Sequence, residues 1–306
     1  MRLLFAGTPQ AAVPSLDALA ASTHEVAAVL TRPDTVAGRG RQPVRSAVAE
    51  RAGELGIAVS TLSPRDPDFS RWLADLSVEC CPVVAFGALI PAEALDIPPH
   101  GWVNLHFSLL PAWRGAAPVQ HALLNGDTRT GATTFRLDSG LDTGPTLLRV
   151  EEPVGGRDTT GELLRRLSLV GADLIVSTID VIAAGTVEPT PQPPVGGSYA
   201  PRLEVADARI AWSADARVID RLVRACTPAP GAWTTFRGER LKVGPVVPAS
   251  GDDLSPGTVR AGKSRVEVGS GTTCVVLGEV TPQGKRAMSA ADWARGVRPE
   301  PGEAFE

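Results

Sequence analysis

Asn104 and His106 stand two positions apart at the end of an apolar run, in the stretch NLHFSLLPAWRGAAPVQ covering residues 104–120. On a strand, positions i and i+2 project from one face. The carboxyl end of a strand in an open α/β sheet is also where such folds meet their ligands. An amide donor beside an imidazole suits acyl transfer, because the carbonyl oxygen gains charge in the transition state and fixed donors stabilise it better than water does. The alternative without chemistry makes Asn104 a turn cap and His106 a satisfied interior histidine.

A second segment, RLDSGLDTGPTL (136–147), sets Asp138 and Asp142 around a glycine turn just after the apolar run GATTFRL. Glycine at 140 and 144 permits close backbone approach. A carboxylate held there could pair with His106, raising its pKa and fixing its tautomer, or could relay a proton through water. The same composition also suits a plain turn or a weak calcium-like loop. Between the two segments, Ser108, Leu109, Leu110 and Pro111 form an apolar loop. Its side chains could wall off water while its backbone groups read the edge of a planar heterocycle; an ordinary packed loop would look the same.

These residues need a scaffold, and the pattern supplies one. RLLFAG (2–7) is an apolar run closed by Gly-Thr-Pro, and residues 10–21 carry helical spacing with Pro14 tolerable only in the first turn. EVAAVLT (25–31), CPVVAFG (81–87) and GWVNLHF (101–107) read as further buried strands, separated by helical stretches near 44–55 and 68–76. Such alternation predicts a Rossmann-like, mostly parallel α/β sheet with helices on both faces. A long helix near 159–184 then gives way to a proline- and glycine-rich tract. The chain is therefore divided into a catalytic domain over 1–185, a linker over 186–204 and a second domain over 205–306. In the second domain one helix (214–226) precedes short β-rich runs broken by glycine turns, which suggests a small closed barrel of OB-like type.

With 306 residues and 43% apolar side chains, the chain has the makings of a globular protein of about two domains. No window approaches the ~18 uninterrupted apolar residues of a membrane span, and MRLLFAGTPQ meets a turn too early for a secretory signal, so a cytoplasmic protein is expected. Cys80, Cys81, Cys226 and Cys274 lack paired spacing and read as buried reduced thiols, with no zinc or other metal expected. The net charge of −4 argues against a uniformly basic nucleic-acid binder. Charge is local, however. From Arg202 onward 15 basic residues face 13 acidic ones, and within residues 32–51 Arg32, Arg39, Arg41, Arg45 and Arg51 face only Asp34 and Glu50.

Taken together, NLHFSLLP, WRGAAPVQ and GLDTG resemble the folate-dependent formyltransferase family. FAGTP at the start, AGRGRQPV (37–44), VVAFGALIP (83–91) and the late GKRAMSAADW are similar to its branch that acts on methionyl-tRNA. The resemblance covers nearly the whole chain. It implies transfer of a formyl group from 10-formyltetrahydrofolate to the α-amino group of methionine on initiator methionyl-tRNA. Asn104, His106 and Asp142 would be catalytic. Ser108, Leu109, Leu110 and Pro111 would contact folate, and Arg39 and Arg41, in the inserted loop after the second strand, would contact the tRNA end. On this reading Asn104 and a protonated His106 stabilise the oxyanion, while Asp142 is either a base or an electrostatic support. The loop is shorter than in many relatives, and Ala112 stands where a basic residue is common. The second domain would add an RNA surface, with Arg202, Arg217, Arg221, Arg224 and Lys242 as candidates. No membrane partner is expected, and the protein is expected to be a monomer.

Three rivals are weighed. A formyltransferase acting on glycinamide ribonucleotide or an amino sugar would share the Asn/His/Asp trio. A dinucleotide oxidoreductase is disfavoured because the first turn reads Gly-Thr-Pro instead of G-x-G-x-x-G. In a non-enzymatic RNA-binding module the trio would be interchangeable. His24, His100 and His121 are assigned to structure or surface, and the tryptophans to packing.

Overall fold

The computed structural model describes residues 1–37, 42–250 and 254–306, and the chain divides into two units. The first holds Met1–Pro118, Arg129–Pro153 and Leu164–Tyr199; the second holds Val119–Thr128, Val154–Leu163 and Ala200–Glu306. In chain order the elements up to the long helix are β1 (Arg2–Gly7), α1 (Val13–Ala20), β2 (Glu25–Leu30), β3 (Thr35–Ala37), β4 (Gln42–Val44), α2 (Ala47–Glu54), β5 (Ala58–Ser60), α3 (Phe69–Asp75), β6 (Cys81–Val84), α4 (Ala92–Leu95), β7 (Trp102–His106), α5 (Pro118–Asn125), β8 (Arg129–Arg136), β9 (Thr146–Pro153) and α6 (Thr160–Ala183).

Among the described residues the first unit builds a seven-stranded sheet in the order β5-β2-β1-β6-β7-β8-β9. β5, β2, β1, β6 and β7 run parallel, and β8 and β9 continue the sheet antiparallel. The mostly parallel α/β architecture is the expected one. In β1, Leu3 to Gly7 are all buried, as a strand covered on both faces must be, whereas β9 alternates between half-buried and exposed positions along its outer half. Pro14 sits in the first turn of α1, where its missing N–H costs nothing, and Ser46 caps α2 by accepting from the Ala49 N–H at 3.0 Å. One core cluster of this unit gathers Leu4, Leu30, Phe69, Val83, Phe86 and Trp102. β6 is shorter than the pattern suggested. Ala85 turns left-handed at φ 47°, so Phe86 to Leu89 leave the sheet as a loop.

The second unit continues with α7 (Ala216–Ala225), β10 (Trp233–Phe236), β11 (Glu239–Val243), β12 (Val246–Ala249), β13 (Val259–Ala261), β14 (Val266–Gly269), β15 (Cys274–Leu277), β16 (Glu279–Pro282), β17 (Met288–Ser289) and α8 (Ala290–Val297). Its described strands form two four-stranded antiparallel sheets, β10-β11-β16-β17 and β12-β15-β14-β13. The antiparallel β domain is the expected one, and its described strands pair as two ladders. Gly244–Pro245 separates β11 from β12, and a proline cannot donate to a ladder. Both sheets contribute to one core with α7 and α8, in which Trp212, Phe236, Trp293 and Phe305 pack ring against ring at 5.2–5.6 Å.

The proline-rich tract spans the division at Tyr199/Ala200 and is not a bare crossing. Thr190 exchanges two 2.8 Å backbone hydrogen bonds with Thr146, at the start of β9. All four cysteines are free and buried, and burial pushes the Cys80 thiol up to about 12. Among the described residues no helix is long and apolar enough to cross a membrane, and no group of three His, Cys, Asp or Glu is placed to hold a metal ion.

Candidate active site

β7 is held on both sides, Asn104 opposite Val83 of β6 and Phe135 of β8, and His106 opposite Thr133. Strand alternation then turns both side chains into one cavity of about 470 Å³. Asn104 is half-buried and makes no side-chain hydrogen bond to a described residue, so its amide is free for a ligand. His106 is 6% exposed. Its Nε2–H donates to the Trp113 carbonyl at 2.8 Å, which leaves Nδ1 as the lone-pair nitrogen of the neutral ring.

Asp142 comes from the turn between β8 and β9, and its Oδ2 lies 3.7 Å from His106 Nδ1. The same oxygen accepts the Gly115 N–H at 2.7 Å, which fixes the carboxylate. At this separation His106 and Asp142 do not bond directly but can share a proton-bearing atom of a substrate. Burial is the largest influence on the imidazole and pushes its pKa below the ordinary value, while the Asp142 charge and the Trp113 carbonyl pull it back up. The net direction favours the neutral ring, whereas the sequence reading has a protonated ring stabilising the oxyanion.

Two left-handed residues aim this machinery. Asp142 at φ 53° and Trp113 at φ 61° are non-glycine residues in a conformation that costs roughly 1–2 kcal/mol each. Gly144 is obligatory, because a Cβ there would collide with the Arg136 carbonyl oxygen. The other acidic candidate, Asp138, has a different task. It binds the Gly140 N–H and the Thr143 hydroxyl and closes the turn.

The 108–111 loop does not line the cavity. Ser108 is fully buried and donates to the Ala112 carbonyl at 2.5 Å, its own carbonyl accepts from Thr133, and the Leu110 N–H donates to Thr133 as well. The apolar wall consists instead of Phe86, Leu89, Ile90, Leu95, Leu137 and Leu141. Leu89 is 76% exposed and Leu141 54%, large apolar side chains left uncovered at the mouth. The missed wall had a signal in VVAFGALIP, which the sequence reading used only as a mark of kinship. Beyond Phe86–Leu89 a second cavity of about 400 Å³ holds Arg32 and Arg65, neither of which forms an ion pair with a described residue.

Arg39 and Arg41 lie outside the described residues. Of the second-unit cations, Arg224 is 7% exposed and bonded to Asp220 and to the Asp158 carbonyl, so it belongs to the packing and not to a binding face. Arg202 and Arg217 are exposed.

The family model described as "Formyl transferase" matches residues 1–179, and "Formyl transferase, C-terminal domain" matches 202–298. A methionyl-tRNA formyltransferase of Thermobifida fusca is 60% identical, the match covering 100% of this chain and 99% of that protein. One of Streptomyces coelicolor is 59% identical over 99% of each. Among solved structures, HypX from Aquifex aeolicus in complex with tetrahydrofolic acid is similar at TM-score 0.66 and 17% identity, covering 96% of this chain and 47% of that one. The chain thus spans about half the length of HypX, and that likeness speaks for the fold alone.

Proposed function

Since the chain belongs to the formyl transferase family, we propose that it transfers the formyl group of 10-formyltetrahydrofolate to the α-amino group of methionine on initiator methionyl-tRNA, for translation initiation in the cytoplasm. The observation that carries this reading is the 60% identity to a methionyl-tRNA formyltransferase over the full length of both chains. The cavity fits the donor. Its volume lies in the ordinary small-ligand range of about 300–1,000 Å³, with apolar walls for a flat ring and polar groups gathered on Asn104, His106 and Asp142. The Arg32 and Arg65 cavity next to it suits the carboxylates of a glutamyl tail. Ser108, Leu109, Leu110 and Pro111 are proposed as the folate-binding segment, in the stretch that leads on to Trp113.

The folate supplies the formyl carbon, and the protein supplies donors and a place for protons. The methionyl nitrogen forms a bond to that carbon as the bond to N10 breaks. The Asn104 amide donates to the formyl oxygen as it gains charge. The neutral His106 takes the proton the amine sheds at Nδ1, becomes cationic beside Asp142, and returns the proton to the departing nitrogen. Asp142 therefore acts as electrostatic support for a cation that exists only during turnover. The enzyme is proposed to act as a monomer without metal, with Arg39 and Arg41 gripping the acceptor end.

The test is formyl incorporation from 10-formyltetrahydrofolate into initiator methionyl-tRNA, with glycinamide ribonucleotide as the competing acceptor. Incorporation into the tRNA alone is expected. Asn104→Ala is expected to lose about 100- to 1000-fold in kcat, as removal of an oxyanion donor does elsewhere. His106→Ala and Asp142→Ala should also lose most of the rate. Preference for glycinamide ribonucleotide would move the assignment to that branch of the family.

A further inference from the structure

The side chain of Gln192 sits where the two loops of the site come together. Its Nε2 donates to the Asp142 carbonyl at 2.9 Å and to the Gly144 carbonyl at 2.8 Å. Its Oε1 accepts from Arg114 Nε at 3.1 Å and Nη2 at 2.7 Å. Both amide hydrogens and both lone pairs are thereby used, so the amide has one orientation and no spare capacity. On one side of it stands the turn that carries Asp142. On the other stands Arg114, between Trp113, whose carbonyl holds His106, and Gly115, whose N–H holds the Asp142 carboxylate. Six residues on, Ser198 repeats the pattern, its hydroxyl accepting the Trp113 N–H at 2.9 Å and its carbonyl the Arg114 N–H at 2.8 Å.

We propose that Gln192 is a positioning residue for formyl transfer: it ties the Asp142 turn to the 113–115 loop and so sets the 3.7 Å separation of Asp142 from His106. The proposal rests on the catalytic reading of that pair. Asp142 and Trp113 both hold unfavourable left-handed backbone, and each would relax toward ordinary conformations without a partner for the groups they expose. Gln192 supplies that partner for the Asp142 carbonyl. Glutamate cannot replace it, because a carboxylate would set an acceptor against two carbonyls while still satisfying Arg114. The segment 190–199 is on this account a strap over the site.

Gln192→Met keeps the length and removes every hydrogen bond; Gln192→Glu keeps the Arg114 side only. Both are expected to lower kcat about 10- to 100-fold, the scale of a 1 Å misplacement of a reacting group, with KM for the folate donor and for tRNA within about threefold of wild type. A second readout does not need turnover. Asp142 is the charged group that holds the His106 pKa up, so both variants should lower the imidazole titration seen by NMR. Wild-type kcat in either variant overturns the proposal. So does a loss of kcat accompanied by an unmoved His106 titration, which marks general structural damage. If the wild-type protein transfers no formyl group, the functional reading fails, whereas the NMR titration still decides whether Gln192 sets the pair.

Discussion

At the scale of the residue, the protonation state of His106 is the quantity to measure. Burial lowers its pKa and Asp142 raises it, burial being the larger effect. The chain has four histidines, so the ring resonances of His106 can be assigned by a single His106→Gln variant. His106 should titrate below the ordinary value of about 6.5. Asp142→Asn removes the opposing charge and should move it lower still. The sign for stability follows. The unfolded chain binds more protons than the folded one between the lowered pKa and 6.5, so this group's contribution is present above 6.5 and fades as the pH falls through the folded pKa. The imidazole, the amide beside it and the carboxylate in its glycine turn were legible in the sequence, because their types and spacing state a chemistry. The downward direction of the His106 pKa was not, since that depends on how deeply the fold buries the ring.

At the scale of the element, the strands were easier to read than the loops. β7 and its neighbours are apolar runs between turn residues, and a parallel sheet leaves little else for such runs to be. Residues 108–111 were expected at the folate on composition and resemblance alone, and an apolar loop beside a histidine looks the same whether it faces a cavity or the core. What decides is the Thr133 hydroxyl, which draws the backbone of 108 and 110 inward from a strand 25 residues away. Leu89 and Leu141 should then carry folate affinity. Leu89→Asp or Leu141→Asp is expected to raise KM for the folate donor about tenfold or more, the worth of one buried leucine, with little change in kcat. Equilibrium binding of tetrahydrofolate, measured by calorimetry, checks the same expectation without chemistry. Gln192 was hidden for a related reason. PQPP reads as spacer composition, and hydrogen bonds made 48–78 residues away in sequence leave no local trace.

At the scale of the whole molecule, recognition of a folded RNA is electrostatic first and specific second. A net charge of −4 leaves that task to local groups, of which the basic stretch around Arg39 and Arg41 is one. Arg39→Ala and Arg41→Ala should each weaken KM for tRNA and flatten its dependence on salt by about one ion per lost phosphate contact, leaving the folate KM alone. An unchanged salt slope would remove the loop from the interface. The division of the chain has a consequence of its own. The second unit is assembled from three stretches, and Thr160 to the Ala225 carbonyl, Gly161 to that of Thr227 and Arg221 to that of Asn125 are bonds within it. A chimaera that exchanged this unit between relatives at a single joint near residue 200 would inherit two foreign segments in its recipient half. A graft that respects the architecture needs splices around 119–128 and 154–163 as well.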